Sequence, residues 1–254
     1  MTAESRDQFP PGYYARIHLV ERDHWWYRGM RDLSAALLGP WLAKGNQDLL
    51  DAGCGTGGFL RWALDTGAFR SATGIDIAPE AIALASADAP DADLRVGSVL
   101  ALPHPDCSFD VVVLNDVLQH LPHDDAVPAL AELARVTRPG GAVLVRTRGS
   151  RRPDPSYHAY DRALLAATIE RAGLSPQTVT FANLGGSLLA AARRRAPKVL
   201  ERERGEGIPR PVPTPKTLIA SRLMAIERQL LLRRAPFAVP WGHTIMALAV
   251  AREC

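Results

Sequence analysis

The sequence predicts an α/β fold: a mainly parallel sheet with helices on both faces. Three observations predict it. Short apolar runs alternate with helical stretches of about 10–15 residues, the pattern of strand–helix–strand units. Residues 109–114 (Phe-Asp-Val-Val-Val-Leu) are almost continuously apolar, as a strand buried on both faces requires. The first run, residues 48–52, leads straight into the glycine-rich residues 53–58 ahead of a helix. Sheets of this kind bind ligands at such turns, beyond the carboxyl ends of their strands.

Each element follows in order. Residues 12–38 read as helix, carrying Tyr14, Ile17, Val20, Leu33 and Leu37, and Gly39-Pro40 is expected to stop it. Residues 48–52 suit a buried strand, and 58–67 a helix closed by Gly67. Residues 71–77 are strand-like, and Pro79 sits where the first turn of the next helix tolerates it. Residues 93–96 and 109–114 give the third and fourth strands, 124–136 a helix, and Arg138-Pro139-Gly140-Gly141 a turn. Residues 142–147 give a fifth strand, 148–156 a polar loop, 161–172 a helix ending at Gly173, and 177–181 a sixth strand. Residues 184–234 break the rhythm. Leu188, Leu189, Ala192 and Val199 share one helical face. Ile219, Leu223, Ile226 and Leu230 recur at spacings of 4, 3 and 4, a clear helical stripe. Residues 244–251 form the last strand.

Composition bounds the class. With 254 residues, 47% apolar and 22% charged, the chain is an ordinary globular one, neither disordered nor fibrous. Three scattered cysteines, Cys54, Cys107 and Cys254, suit neither a disulfide framework nor a zinc cluster, and suggest a reducing compartment. No secretory signal and no unbroken span of about 18 apolar residues is visible, so a soluble, cytoplasmic protein without membrane contact is expected. The charge is uneven: residues 183–254 carry 13 Lys and Arg against 5 Asp and Glu, whereas 1–182 carry 17 against 22. The basic part lacks interleaved aromatics, which argues against nucleic acid as a partner.

The glycine loop carries the chemistry. Gly53, Gly55 and Gly58 satisfy G-x-G-x-x-G, and Asp76 ends the next strand, where a carboxylate can accept from two ribose hydroxyls. Both features also fit a nicotinamide dinucleotide. Asp51, two residues before the first glycine, separates the readings. It would repel a pyrophosphate, which prefers amides and a helix N-terminus, but would suit a cationic ligand. The stretch LLDAGCGTGG (49–58), followed by TGIDIAPEAIALA (73–85), RVGSVLALPHPDCSFDVVVLNDVLQHL (95–121) and ELARVTRPGGAVLV (132–145), resembles the ordered motifs of class I S-adenosylmethionine (SAM)-dependent methyltransferases. Glu21-Arg22-Asp23-His24-Trp25-Trp26 is similar to the opening of a bacterial small-molecule subgroup, whereas residues 149–160 and 236–243 depart from it.

The resemblance implies a Rossmann-like, doubly wound, seven-stranded sheet with N-terminal helices and a helical insertion before the last strand. It divides the chain into an N-terminal helical lid (1–44), a SAM-binding core (45–182), an insertion or cap (183–240) and a last core strand (241–254). It also implies SAM as cofactor and S-adenosylhomocysteine as product. Asp51, Gly53, Cys54, Gly55, Gly57 and Asn115 would line the methionine end. Asp76 would hold the ribose. Ile77, Ser98 and Val99 would meet the adenine, Ser98 standing where the family usually has Asp. Trp26 would lie on the cofactor, with Arg28 or Arg31 near its carboxylate; plain core packing is the competing role for the Trp segment.

Methyl transfer from a sulfonium needs alignment and exclusion of water, and an oxygen or nitrogen acceptor also needs a base. His120 is the first candidate, then His158 and His243; no metal-ligand spacing is apparent. The expectation is methylation of an O or N atom of a small molecule, a secondary metabolite by the Arg-rich bacterial composition. A rearrangement or cyclisation on the same fold, a non-catalytic SAM-binding protein and a nicotinamide oxidoreductase remain alternatives. The insertion suits a cap on the pocket, a homodimer interface or a membrane contact.

Overall fold

The computed structural model describes residues 9–149, 158–183, 215–232 and 242–252. Seven strands make one sheet: β1 (Gln47–Ala52), β2 (Phe69–Asp76), β3 (Asp93–Val96), β4 (Phe109–Asn115), β5 (Thr137–Arg148), β6 (Leu174–Ala182) and β7 (Thr244–Ala251). Their order is β3-β2-β1-β4-β5-β7-β6. The helices are α1 (Tyr13–Glu21), α2 (Trp25–Lys44), α3 (Gly58–Asp65), α4 (Pro79–Asp88), α5 (Ala126–Val136), α6 (Arg162–Arg171) and α7 (Pro215–Leu232). The doubly wound α/β architecture is the one expected. Strand order reverses between β1 and β4, so the crevice for a ligand opens beyond Ala52 and Asn115.

Alternate residues of each central strand feed two cores. Leu50, Val112, Leu114, Val143 and Val145 pack with Leu130 and Leu133 of α5 and with Leu165 and Ile169 of α6. Leu49, Val111, Val113 and Leu144 pack on the other side with Met30, Leu33 and Leu38 of α2 and Leu60 of α3. All these residues are at most 1% exposed. Burying each such side chain contributes roughly 1.5–3 kcal/mol, which is why the strands read as unbroken apolar runs.

The differences from expectation have local causes. The first helix is two helices: α1 ends at Glu21, and His24 adopts an extended backbone (φ −66°, ψ 132°) and caps α2, its Nδ1 accepting from Trp26 N at 3.2 Å. Pro40 does not stop α2. It lies on the exposed face, and the helix ends only where Gly45 (φ 65°) donates to Leu42 O. The stretch Arg138-Pro139-Gly140-Gly141 is a bulge within β5, where Phe109 and Val111 of β4 face Thr137 and Ala142. β7 enters between β5 and β6 from the edge where β6 ends, so it runs antiparallel to both.

In α7 the buried residues, among those described, are Ala220, Met224 and Glu227, while Ile219 and Ile226 of the apolar stripe are 54% and 55% exposed. Met224 packs on Gly29 of α2, and Glu227 accepts from Asn183 N at 2.9 Å, tying α7 to the end of β6. Leu188, Leu189, Ala192 and Val199, and residues 233–241 before β7, lie outside the described residues. Cys54 is free and buried, whereas Cys107 is disulfide-bonded, contrary to the expectation of reduced thiols. Among the described residues no helix is long and apolar enough to cross a membrane.

Candidate cofactor and acceptor site

The chain turns sharply where β1 ends. Gly53 N and Cys54 N both donate to Ile75 O of β2, at 2.6 and 2.9 Å. Gly53 has φ 83°, and a Cβ there would lie 2.2 Å from Val117 Cγ2, so only glycine fits. Asp76, at the end of β2, closes the loop: its Oδ2 accepts from Gly55 N and its Oδ1 from Ala78 N, both at 2.9 Å. The two oxygens together offer more lone pairs than these amides take. Burial raises the Asp76 pKa, and the amides of Ala78, Gly55 and Ile77 partly offset this. Gly57 leads into α3 behind the loop. Cys54 is buried and its thiol is pushed up by that burial, so it packs and does not ionise. Beyond the loop Ile77 is 43% exposed, Val99 is buried, and Ser98 Oγ accepts from Leu100 N at 3.2 Å.

At the carboxyl ends of β1 and β4 lie buried polar groups with unmet bonding capacity. Asp51 is 1% exposed, and its Oδ1 has no hydrogen-bond partner within the protein; neither has Asn115 Oδ1 or Nδ2. Orphaned buried groups of this kind cost about 1–3 kcal/mol each unless a ligand satisfies them. Asn115 is the register partner of Arg146 on β5. Arg146 donates to Asp116 Oδ2 from Nε (3.0 Å) and Nη2 (2.7 Å), and its guanidinium lies 5.3 Å from the Trp26 ring. Burial raises the Asp51 pKa well above the usual carboxylate range; Arg146 opposes this, and Asp76 and Glu21 reinforce it.

The N-terminal helices supply neighbours to these groups. Tyr14 is half-buried, and burial and then the Asp76 carboxylate raise its phenol pKa. Phe9 stacks on Tyr13 (4.3 Å between ring centroids) and meets His120 edge-on at 5.2 Å. Glu21 reaches the glycine loop, accepting from the Thr56 hydroxyl. Trp26 therefore faces Arg146. Arg28 is exposed, and Arg31 donates to Glu21 O and Arg22 O, so neither is gathered to these groups.

The three histidines separate. His120 is half-buried in the short 3₁₀ turn Leu118–His120 after β4, and burial lowers its pKa against the opposing charge of Asp116. His158 N donates to Gln119 O at 3.0 Å, and its ring lies 3.9 Å from that of His123. His243 is exposed at the start of β7, its carbonyl accepting from Gly149 N. Sequence reasoning missed Tyr14, Glu21, Thr56, Asp116 and Arg146. A charge inside the apolar strand Ala-Val-Leu-Val-Arg-Thr was the one available signal, for Arg146.

A seven-stranded sheet with an antiparallel β7, a glycine turn after β1 and an acid ending β2 defines a class I, SAM-dependent methyltransferase architecture. The model of the methyltransferase-domain family matches residues 50–145. It is 38% identical over 117 residues to a malonyl-[acyl-carrier protein] O-methyltransferase of Serratia marcescens, covering 46% of this chain and 44% of that protein. It is 32% identical over 164 residues to a probable S-adenosylmethionine-dependent methyltransferase of Mycolicibacterium smegmatis, covering 61% and 62%. The chain spans about half the length of the curated relatives it matches. The geranyl diphosphate C-methyltransferase of Streptomyces coelicolor A3(2) shares the fold, with TM-score 0.56, 15% identity and coverage of 86% of this chain and 76% of that one.

Proposed function

We propose that this chain binds SAM and transfers its methyl group to an oxygen or nitrogen of a small molecule. One observation carries the reading: Asp51 and Asn115 leave buried acceptors unsatisfied beside the glycine loop. An ammonium has three donors and no acceptor, so it matches the Asp51 and Asn115 oxygens, whereas a pyrophosphate does not. Asp76 would take the ribose hydroxyls on its spare lone pairs. Exposed Ile77 and buried Val99 would flank the adenine, with Ser98 as a neutral acceptor for its amino group.

When bound, SAM supplies a methyl group already activated for in-line displacement. The protein then has to align the acceptor, exclude water and take up its proton. Phe9, Tyr13 and Tyr14 exclude water on the N-terminal side. His120 beside Asp116 is the base, neutral at physiological pH because burial lowers its pKa. The O-methyltransferase relatives favour an oxygen acceptor. Calorimetry tests the cofactor: SAM and S-adenosylhomocysteine should bind and NAD should not, and NAD binding without SAM binding would sink the reading. Incubation of acceptor panels with methyl-labelled SAM tests the chemistry. Label in product supports transfer; product formed with SAM unconsumed would favour cyclisation or rearrangement.

A further inference from the structure

On the side of α1 that meets α4, three ligating side chains converge. His18 and Glu21 lie one turn apart on α1, and Asp88 ends α4. His18 Nδ1 is 3.7 Å from Asp88 Oδ2 and 4.0 Å from Glu21 Oε1, and the three ligating atoms all lie within 4.8 Å of one another. Neither His18 separation is a hydrogen bond. His18 Nδ1 is buried and has no hydrogen-bond partner, although two carboxylates surround it. The ring nitrogen and the two carboxylates thus share one small space without bonding to one another.

We propose that His18, Glu21 and Asp88 bind a first-row divalent cation of the Zn²⁺ type. One imidazole nitrogen and two carboxylate oxygens are a borderline donor set that suits zinc, and the imidazole disfavours Mg²⁺ and Ca²⁺. Two carboxylates balance the charge of the ion. Ligand distances of about 2.0–2.2 Å put ligating atoms roughly 3–3.5 Å apart, so binding draws the three side chains together. His18 and Asp88 are about a quarter exposed, which gives the ion a path and leaves a coordination position for water. Arg61, whose Nη1 donates to Asp88 O and whose Nε pairs with Asp65, is the neighbouring cation, and it leaves the Asp88 carboxylate to the ion. Because Glu21 also holds Thr56, the ion would clamp α1 to both α4 and the glycine loop. No local pattern points to this cluster, since Asp88 stands far along the chain from the His-x-x-Glu pair.

The proposal does not rest on the methyl-transfer reading, because metal uptake is measured on the protein alone. The chelator-treated full chain is titrated with Zn²⁺ by calorimetry and with Co²⁺ by visible absorption. One equivalent should bind, and His18→Ala and Asp88→Asn should each weaken binding by at least ~10-fold. Hydrogen exchange in α1 should slow when Zn²⁺ is added to the unmodified chain and not to the variants. Circular dichroism checks folding, and Asp88→Asn, at a part-exposed site, remains informative where His18→Ala unfolds. No stoichiometric uptake, or uptake unchanged in both variants, overturns the site. The first outcome leaves the three side chains as a plain contact of α1 with α4; the second moves the metal to another pair such as His123 and His158.

Discussion

At the scale of single residues, Asp51 is an acid placed where it is costly until a cation arrives. Burial raises its pKa, so the empty fold loses stability as pH rises through the carboxylate's unfolded value, and Asp51→Asn should leave the ligand-free protein as stable or more so. The same substitution should weaken SAM binding by roughly 10–100-fold, as loss of a charge-assisted hydrogen bond of ~1.5–3 kcal/mol implies. A bound ammonium favours the ionised acid, so SAM affinity should rise with pH and binding should release a proton. Calorimetry in two buffers of different ionisation enthalpy reads that proton; a heat independent of buffer would mean Asp51 is already ionised. His120 is lowered, with the opposite consequence: it is neutral near pH 7, and turnover should fall only as pH drops below its depressed value. His120→Ala should cut turnover by ~10²–10⁴ with little change in SAM affinity. An unchanged rate would shift the role to His158 or His243.

Between elements, the contacts that matter are those which periodicity does not encode. A Cβ on Gly58 would lie 2.5 Å from Glu21 Cδ and Oε2, so α1 rests on α3 through a missing side chain. Gly58→Ala should cost about 1–3 kcal/mol by overpacking, and Glu21→Ala in the same chain should recover part of it. Denaturant unfolding of the four-member cycle measures the coupling; strict additivity would show that the two residues do not press on each other. The contact of α7 with α2 follows the same logic. Periodicity found the α7 helix and its apolar stripe, but not the face that packs on α2, because it registers apolar side chains and not the groove that receives them. Gly29 opens a slot for Met224, and Asn183 N gives buried Glu227 a partner, so the less apolar face turns inward. Met224→Ala should therefore cost ~2–5 kcal/mol, whereas Ile219→Ser and Ile226→Ser should stay within about 0.5 kcal/mol. A large loss from the isoleucine variants would mean that the apolar stripe, and not the Met224 face, holds α7 in place.

Over the whole molecule, what could be read in advance was what repeats locally. FDVVVL is buried on both sides because both faces carry helices, and the glycine turn after β1 is set by its neighbours in sequence. The direction of β7, the bulge in β5 and the company of Arg146 depend on residues far apart in the chain, and no local pattern reports them. The Asp48 network shows such long-range order acting on stability. At the amino end of the sheet, Asp48 of β1 accepts from Ser71 Oγ (2.6 Å) and Arg70 Nε (3.1 Å) of β2 and from Arg138 Nη1 (2.9 Å) of β5. Arg138 Nη1 also reaches Asp110 Oδ2 of β4 at 2.7 Å, so four strands meet in one ionic cluster. Burial alone would raise the Asp48 pKa, but the Ser71 hydroxyl and the Arg138 and Arg70 guanidiniums outweigh it and lower it. A carboxylate lowered on folding stabilises the protein above its unfolded pKa of ~3.9, and that contribution fades as pH falls through the folded value. Asp48→Asn should cost ~1–2 kcal/mol at neutral pH, less than a fully buried pair because Arg70 and Arg138 are 55% and 36% exposed. Urea unfolding between neutral and strongly acidic pH should show the gap between the two proteins closing below about pH 4. A gap that persists in acid would mean that Asp48 holds the strands by packing and neutral hydrogen bonds, and that its charge contributes nothing to the sheet.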